Sequence, residues 1–435
     1  LQNDASVPGI VVMMICIVAF SLSLSPAAAQ EGALTIDAAQ PLGEISPIVY
    51  GANYGPWALV PLATHEYAAQ SGVTHFRFPA GNWGDQYDLT PQQIDMFVNQ
   101  VRGWGGEASI HVRLEGGTPE RAAELVRYAN VEKGYNVRYW AIGNEPDLYD
   151  DYTVERFNAE WRDIAEAMLA VDPDIVLMGP EVSQFPYTRA GDPYTNVRRE
   201  WVRSFLEANG DLVDIVTVHR YPFPRQNADP ATKIDDLRAN TPQWDVLAQN
   251  LREVIVDTLG RELPMGITEV SSHWNIVRGG EGSPDSFYHA IWWADVLGRL
   301  IRERVSIVNY FTFASSTTDA YGLIGRSQPA PTYYVYALYG HLGDQLVASA
   351  SDVDDVTITA AWDGDVLTFV VVNRGDEGLR LPLQIEGTTL TGEAEAWRLD
   401  AEHNAEPIGT LALSSGDLLD LPAQSASVYR VNADG

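Results

Sequence analysis

Two glutamates occupy positions from which a side chain can act on a substrate. Glu145 lies in Trp140-Ala141-Ile142-Gly143-Asn144-Glu145-Pro146-Asp147 and Glu269 in Ile267-Thr268-Glu269-Val270, each closing a short apolar run. Two carboxyl groups can divide the roles of acid and nucleophile, one protonated and one charged, if their surroundings push the two pKa values apart. Set on either side of a glycosidic bond, such a pair can cleave it. A separation of about 5–5.5 Å gives retention through a covalent intermediate. Asn144 adds an amide able to bind a sugar hydroxyl. The plainer reading of the segment is a helix-capping loop with an exposed glutamate.

A barrel is the element set that would bring the two carboxylates together. Eight short apolar runs read as strands: Ile45–Tyr50, Thr74–Phe78, Ser109–Leu114, Val137–Ile142, Ile175–Met178, Ile215–His219, Pro264–Thr268 and Ser306–Phe311. Near-continuous apolar strands fit a parallel sheet covered by helices. Helix starts are marked by Thr90-Pro91, Thr118-Pro119, Asp229-Pro230 and Ser283-Pro284, and Val154–Val171 and Ser286–Glu303 carry helical apolar spacing. The reading is an α/β fold, a (β/α)8 TIM barrel over residues 45–342, with Glu145 and Glu269 ending its fourth and seventh strands at the C-terminal face. After Gly343 the runs Val356–Ala361, Val366–Asn373, Leu379–Ile385, Glu393–Leu399 and Ala426–Val431 predict an antiparallel β-sandwich over 343–435, with Ala348–Asp355 as the joining segment. Residues 30–44, with Leu34–Ile36, are expected to return and pair with that sandwich.

Asn-Glu-Pro after strand four with Glu after strand seven resembles clan A, the retaining glycosidases that share the (β/α)8 fold. The resemblance covers barrel and sandwich. It implies that Glu145 is the acid/base, Asn144 its sugar-binding neighbour and Glu269 the nucleophile. In His75-Phe76-Arg77-Phe78-Pro79, Arg77 resembles the arginine that supports the nucleophile. In Val218-His219-Arg220-Tyr221-Pro222, His219 and Tyr221 resemble the His and Tyr that flank it. Many clan members carry a Trp at strand eight beneath the sugar; this chain has Asn309-Tyr310-Phe311-Thr312-Phe313 instead. The layout resembles families 39, 44, 51 and 79. The expected activity is retaining hydrolysis of plant-type polysaccharides or oligosaccharides, with endo action on a β-glucan or xylan. The alternatives are an exo-acting enzyme of β-xylosidase, α-L-arabinofuranosidase or β-glucuronidase type, or a non-catalytic glycan-binding protein.

Composition sets limits on this reading. The formal charge is −31, which excludes nucleic acid and anionic membrane surfaces as partners. Among 12 Trp, 20 Tyr and 12 Phe, Trp274, Trp57 and Trp83 are candidate sugar platforms or loop anchors, and Trp292 and Trp293 read as helix packing. His111 points either to the mouth or into the core. Glu115 and Glu181 either bind sugar hydroxyls or pair with an Arg or cap a helix, and Asp85 and Asp88 are solvated or join a structural calcium. No HExxH, Cys cluster or glycine-rich phosphate loop is present, so no catalytic metal and no cofactor are expected. The single cysteine, Cys16, lies in the apolar run Ile10–Leu24 before Ala27-Ala28-Ala29. That run reads as a signal peptide over residues 1–29, predicting a secreted or periplasmic protein with no membrane contact after cleavage; an N-terminal anchor is the alternative.

Overall fold

Strands made of consecutive apolar residues need both faces covered, and the chain satisfies this by closing eight of them into a ring. The computed structural model describes residues 32–188, 193–223, 232–315, 319 and 321–434. The expected signal segment and the Asp229-Pro230 helix start lie outside the described residues. After β1 (Leu34–Glu44), the closed parallel barrel runs β2 (Tyr50–Asn53), β3 (His75–Phe78), β4 (Glu107–Val112), β5 (Tyr139–Ile142), β6 (Val176–Val182), β7 (Ile215–Arg220), β8 (Met265–Val270) and β9 (Ile307–Tyr310). Helices α1 (His65–Ala69), α2 (Trp83–Gln86), α3 (Pro91–Gly103), α4 (Pro119–Val126) and α5 (Val154–Leu169) serve the first half. The second half has α6 (Pro193–Asn209), α7 (Ile234–Asn240), α8 (Gln243–Leu259), α9 (Phe287–Arg302) and α10 (Tyr333–Tyr339). Thr90 and Thr118 cap α3 and α4 through their hydroxyls, each with proline in the first turn.

Two local expectations are corrected. The first barrel strand is Tyr50–Asn53, not Ile45–Tyr50, because Ser46 closes a turn in which its carbonyl accepts the Val49 N–H at 3.1 Å. Helix α9 starts after Ser286, whose hydroxyl accepts the His289 N–H at 3.1 Å. Ser283-Pro284 lies in the preceding turn, where the Ser283 hydroxyl is bonded to the Gly280 carbonyl at 2.7 Å.

The C-terminal sheet contains β10 (Gln345–Ser351), β11 (Val356–Asp363), β12 (Val366–Asn373), β13 (Leu379–Glu386), β14 (Thr389–Leu399), β15 (Asn404–Ala412), β16 (Leu418–Leu421) and β17 (Ser425–Asp434). With β1 these form one nine-stranded ladder, ordered β15-β14-β17-β12-β11-β10-β1-β13-β16, that curls into a sandwich. Leu34–Asp37 pairs antiparallel with Ala348–Ser351 and parallel with Leu383–Glu386. The sheet is therefore mixed rather than wholly antiparallel, and the expected joining segment is partly strand. Leu34, Ile36, Ile358, Phe369, Leu383 and Tyr429 fill its own core.

Barrel and sandwich meet through charge as well as apolar packing. Asp295 on α9, fully buried, is 3.0 Å from Arg299 and 3.1 Å from Arg374 of the sandwich, and accepts the Thr357 hydroxyl at 2.6 Å. Burial alone would raise its pKa, but Arg374 and Arg299 bring it down to about 2. A depressed carboxylate pKa contributes stability that is present above the ordinary value of about 4 and lost as pH falls through the folded value. Asp295→Ala should cost about 3–5 kcal/mol at neutral pH, because it takes the closest carboxylate from the buried Arg374 and leaves Arg299 with Asp245 alone. Urea unfolding should show the gap from the parent protein narrowing as pH falls from about 4 through about 2. A loss under about 1 kcal/mol would show that the seam does not depend on this ion pair.

Candidate active site

At the C-terminal end of the barrel the chain turns sharply, and those turns set the carboxylates. Glu145 follows β5 with φ 50° and Glu181, within the end of β6, has φ 59°, both in the left-handed region that costs an L-residue energy. The Glu145 N–H donates to the Glu181 carbonyl at 3.0 Å, so the two turns hold each other. Gly143 has φ 79°, and a Cβ there would meet Leu114 Cδ2 at 2.6 Å, so glycine alone fits.

Arg77 on β3 lies at the centre, with no exposed surface. Its guanidinium donates to Glu269 Oε1 at 2.9 Å, Asn144 Oδ1 at 2.9 Å and Asn53 Oδ1 at 3.1 Å, and pairs with Glu181 Oε2 at 2.9 Å. Glu269 is also held by the Gly81 N–H on Oε1 at 3.0 Å and the Tyr221 hydroxyl on Oε2 at 2.8 Å. Three donors thus hold both its oxygens in place. Glu145 differs: its recorded side-chain partner is His219 Nδ1 at 3.2 Å. Burial raises its pKa, the charge of Glu269 adds to the rise, and His219 opposes it. Burial would lower the pKa of His219, but Glu269, Glu145 and Glu181 together raise it to about 10, so the ring is cationic at neutral pH. The surroundings therefore fit Glu145 to the protonated role of the two that a carboxyl pair can divide.

A carboxylate oxygen of Glu145, one of Glu269 and a ring nitrogen of His219 lie within 4.8 Å of one another. The trio is not arranged as metal ligands. His219 Nδ1 is engaged by Glu145, and a cation beside Glu269 would sit against the Arg77 guanidinium. The spacing instead leaves room for one bond of a substrate between two carboxyl groups.

The structure brings Glu145, Glu269, Asn144, Arg77, His219 and Tyr221 into one cluster. Phe311 stands where the strand-eight tryptophan is absent: it packs on Trp57 at 6.3 Å, Tyr221 at 6.3 Å and Tyr321 at 6.1 Å between ring centroids. Trp57 thereby joins the aromatic wall beside Glu269. Trp274, 41% exposed, is tied to that wall through its carbonyl, which accepts the Tyr321 hydroxyl at 2.9 Å. Trp83 packs against Tyr87, with ring centroids 5.1 Å apart and the planes tilted by 36°. His111 is buried beneath α2, with Nδ1 3.1 Å from the Pro79 carbonyl and Gly84 against its ring. It is placed to support the loop, not to reach a ligand. Glu115 is an exposed turn residue, while Trp292 and Trp293 are fully buried on α9.

Three supporting residues escaped the sequence reading. Asn53 on β2 accepts from Arg77 and donates to the Thr268 carbonyl at 2.9 Å. Asn82 accepts from Asn144 Nδ2 at 3.1 Å. Asp85, weighed only as solvated or as a calcium ligand, is buried and accepts the Asn144 N–H at 3.0 Å. The Asn53, Asn82 and Asp85 contacts join residues distant in sequence, which spacing does not register.

With this geometry in place, similarity to known proteins can be judged. No family model matches the chain. A rat (Rattus norvegicus) heparanase is 28% identical over 232 residues, covering 50% of this chain and 39% of the relative. An intracellular exo-α-(1→5)-L-arabinofuranosidase of Streptomyces lividans is 24% identical, covering 43% and 33%. The chain thus matches well under half the length of these two relatives. These relatives and the fold fit the clan A glycoside hydrolases. The family within the clan is unresolved. A Bifidobacterium longum family 51 α-L-arabinofuranosidase superposes with a TM-score of 0.74 at 15% identity, over 93% of this chain and 100% of the other. A Paenibacillus polymyxa family 44 xyloglucanase superposes at 0.71 and 16%, over 92% and 99%. At such identities the clan's barrel and sandwich are what is shared.

Removing Asp85, the nearer acceptor of the Asn144 N–H, tests how the site is held. Asp85→Ala should cost about 1–3 kcal/mol in urea unfolding, because the Asn144 N–H then keeps only the Tyr149 hydroxyl at 3.2 Å as acceptor. Asp85→Asn, which keeps an oxygen in place, should recover most of it. Equal losses in the two variants would show that packing, not this bond, is at stake.

Proposed function

We propose that the protein is a retaining glycoside hydrolase in which Glu269 is the nucleophile and Glu145 the acid/base. The observation that carries this is the approach of the two carboxylates within 4.8 Å. That is close to the spacing of about 5–5.5 Å that suits direct attack, and short of the roughly 6.5–9.5 Å that admits a water for inversion. In the first step Glu269 attacks the anomeric carbon as the bond to the leaving oxygen breaks, and Glu145 gives that oxygen its proton. In the second, Glu145 takes a proton from water, which attacks the same carbon and frees Glu269. Tyr221 and the Gly81 N–H hold the two oxygens of Glu269, so the lone pair that attacks is fixed in direction.

The proposed substrate is a plant-type polysaccharide or an oligosaccharide from one, with an endo-acting cleft on a β-glucan or xylan as the leading form. Support comes from the aromatic wall of Trp57, Phe311 and Tyr321, and from a glucanase-xylanase and xyloglucanases among the structural neighbours. The arabinofuranosidases among both sequence and structural relatives favour a second reading, exo action on α-L-arabinofuranosides. The apolar N-terminal run supports an exported enzyme.

Glu269→Gly should abolish hydrolysis of every substrate the parent enzyme cleaves. Azide should then restore turnover of an aryl glycoside with a good leaving group, giving a glycosyl azide of inverted configuration. A variant that keeps more than about a thousandth of parental kcat, or yields no azide adduct, would remove Glu269 from the nucleophile's role. Products from xylan, glucans, mannan and arabinan separate the two substrate readings: mixed oligomers with rapid viscosity loss mark the cleft, and release of arabinose alone marks the exo enzyme. Binding across the panel without turnover would mark a glycan-binding protein instead.

A further inference from the structure

One buried carboxylate near the catalytic pair has no part in the mechanism above. Glu181, at the end of β6, has no exposed surface. Its oxygens are taken up by Arg77 at 2.9 Å, His219 Nε2 at 2.7 Å, and the hydroxyls of Thr217 at 2.7 Å and Thr268 at 2.9 Å. Both oxygens are thus engaged by donors of the protein itself. The two cationic residues it grips both reach the proposed catalytic carboxylates: Arg77 touches Glu269, and His219 touches Glu145.

We propose that Glu181 is a positioning residue that sets the charge of the pocket: by pairing with Arg77 and His219 it leaves room for only one negative charge on the Glu145–Glu269 pair. The proposal rests on the roles assigned to those two glutamates. Of the other groups that face Glu181 and Glu145, only Asp147 adds charge, and it pushes the Glu145 pKa further up. His75 on β3 is kept neutral by burial, Asp147 lies against Arg198 at 3.4 Å, and Tyr221 is a neutral donor to Glu269. Arg77 and His219 then supply two positive charges, and Glu181 and Glu269 two negative ones, while Glu145 carries its proton. When Glu269 becomes a neutral ester in the covalent intermediate, its charge is gone. Glu145, having given its proton to the leaving oxygen, now carries the balancing charge as the base of the second step. The pocket is neutral at both stages, which a low-dielectric site favours strongly. Without Glu181 the two cations would face the catalytic pair alone and hold both members ionised, leaving no acid.

The test is the titration of Glu145, read directly by carbon NMR of protein labelled at the glutamate carboxyls, with its signal assigned by loss in Glu145→Gln. Glu181→Gln should lower the Glu145 pKa by about one pH unit or more. His219→Gln, which removes a cation, should raise it by a comparable amount. The double variant should return it close to the parental value. A role in folding alone gives neither opposed shifts nor their cancellation. The His219 variant also carries the test if Glu181→Gln fails to fold, since the proposal requires its upward shift. A Glu145 pKa unmoved in Glu181→Gln, or lowered in His219→Gln, would overturn the proposal. In parallel, the alkaline limb of kcat/KM on a poor-leaving-group aryl glycoside should follow the same order, with about a tenfold loss above the new pKa in Glu181→Gln. If the parent enzyme cleaves no glycoside while Glu145 shifts as described, the glycosidase reading fails and the charge-setting role stands.

Discussion

The site depends on one buried cation. The guanidinium of Arg77 sits at the C-terminal end of the barrel with no access to water, and a charge so placed is tolerated only if carboxylates and amides surround it closely. Glu269, Glu181, Asn144 and Asn53 do so from four different strands or strand ends. Each neighbour of Arg77 is thereby fixed in position by the same electrostatic requirement. The geometry of the carboxylates is a consequence of neutralising that charge, and the planar, bidentate form of the guanidinium passes its order on to the groups around it.

The barrel supplies the places and the turns supply the aim. Parallel strands deliver side chains to one rim, but a carboxylate directed inward from a strand end needs backbone that strands do not offer. The left-handed conformations at Glu145 and Glu181 provide it, at a cost of about 1–3 kcal/mol each. The N–H of one turn meets the carbonyl of the other, so the cost is borne by a shared hydrogen bond. The sandwich takes no part in this chemistry. It is fastened to the barrel by β1 at one end of the chain and by the Asp295–Arg374 contact in the middle.

Much of this could be read from the sequence, for physical reasons. Apolar runs bounded by turn residues identified all eight barrel strands, because burial on both faces leaves a mark in composition; only Ile45–Tyr50 was misplaced, where Ser46 closes a turn. The motifs around Glu145 and Glu269 stood out because a charged residue at the end of a fully apolar run demands a reason. The resemblance to clan A extended this to Arg77, His219 and Tyr221. What stayed hidden depends on direction and on contacts between distant segments. His111 could face either way along its strand, and the answer came from Gly84 packing on its ring. Asp85 looked like an ordinary acidic residue in an acidic chain, and Glu181 was open to pairing with an arginine, but only the fold shows that both are buried and that Arg77 is the partner of Glu181. The absence of a strand-eight tryptophan was legible, but which residue of Asn309-Tyr310-Phe311-Thr312-Phe313 faces the site, Phe311, was not.

The account stands on the two carboxylates attacking and protonating the same bond without an intervening water. Proton NMR of the first sugar released from an aryl glycoside, recorded before mutarotation, tests this most directly. The account predicts that the first anomer seen has the configuration of the substrate, with the other appearing only later. Initial release of the opposite anomer would show that water, not Glu269, attacks, and would contradict it.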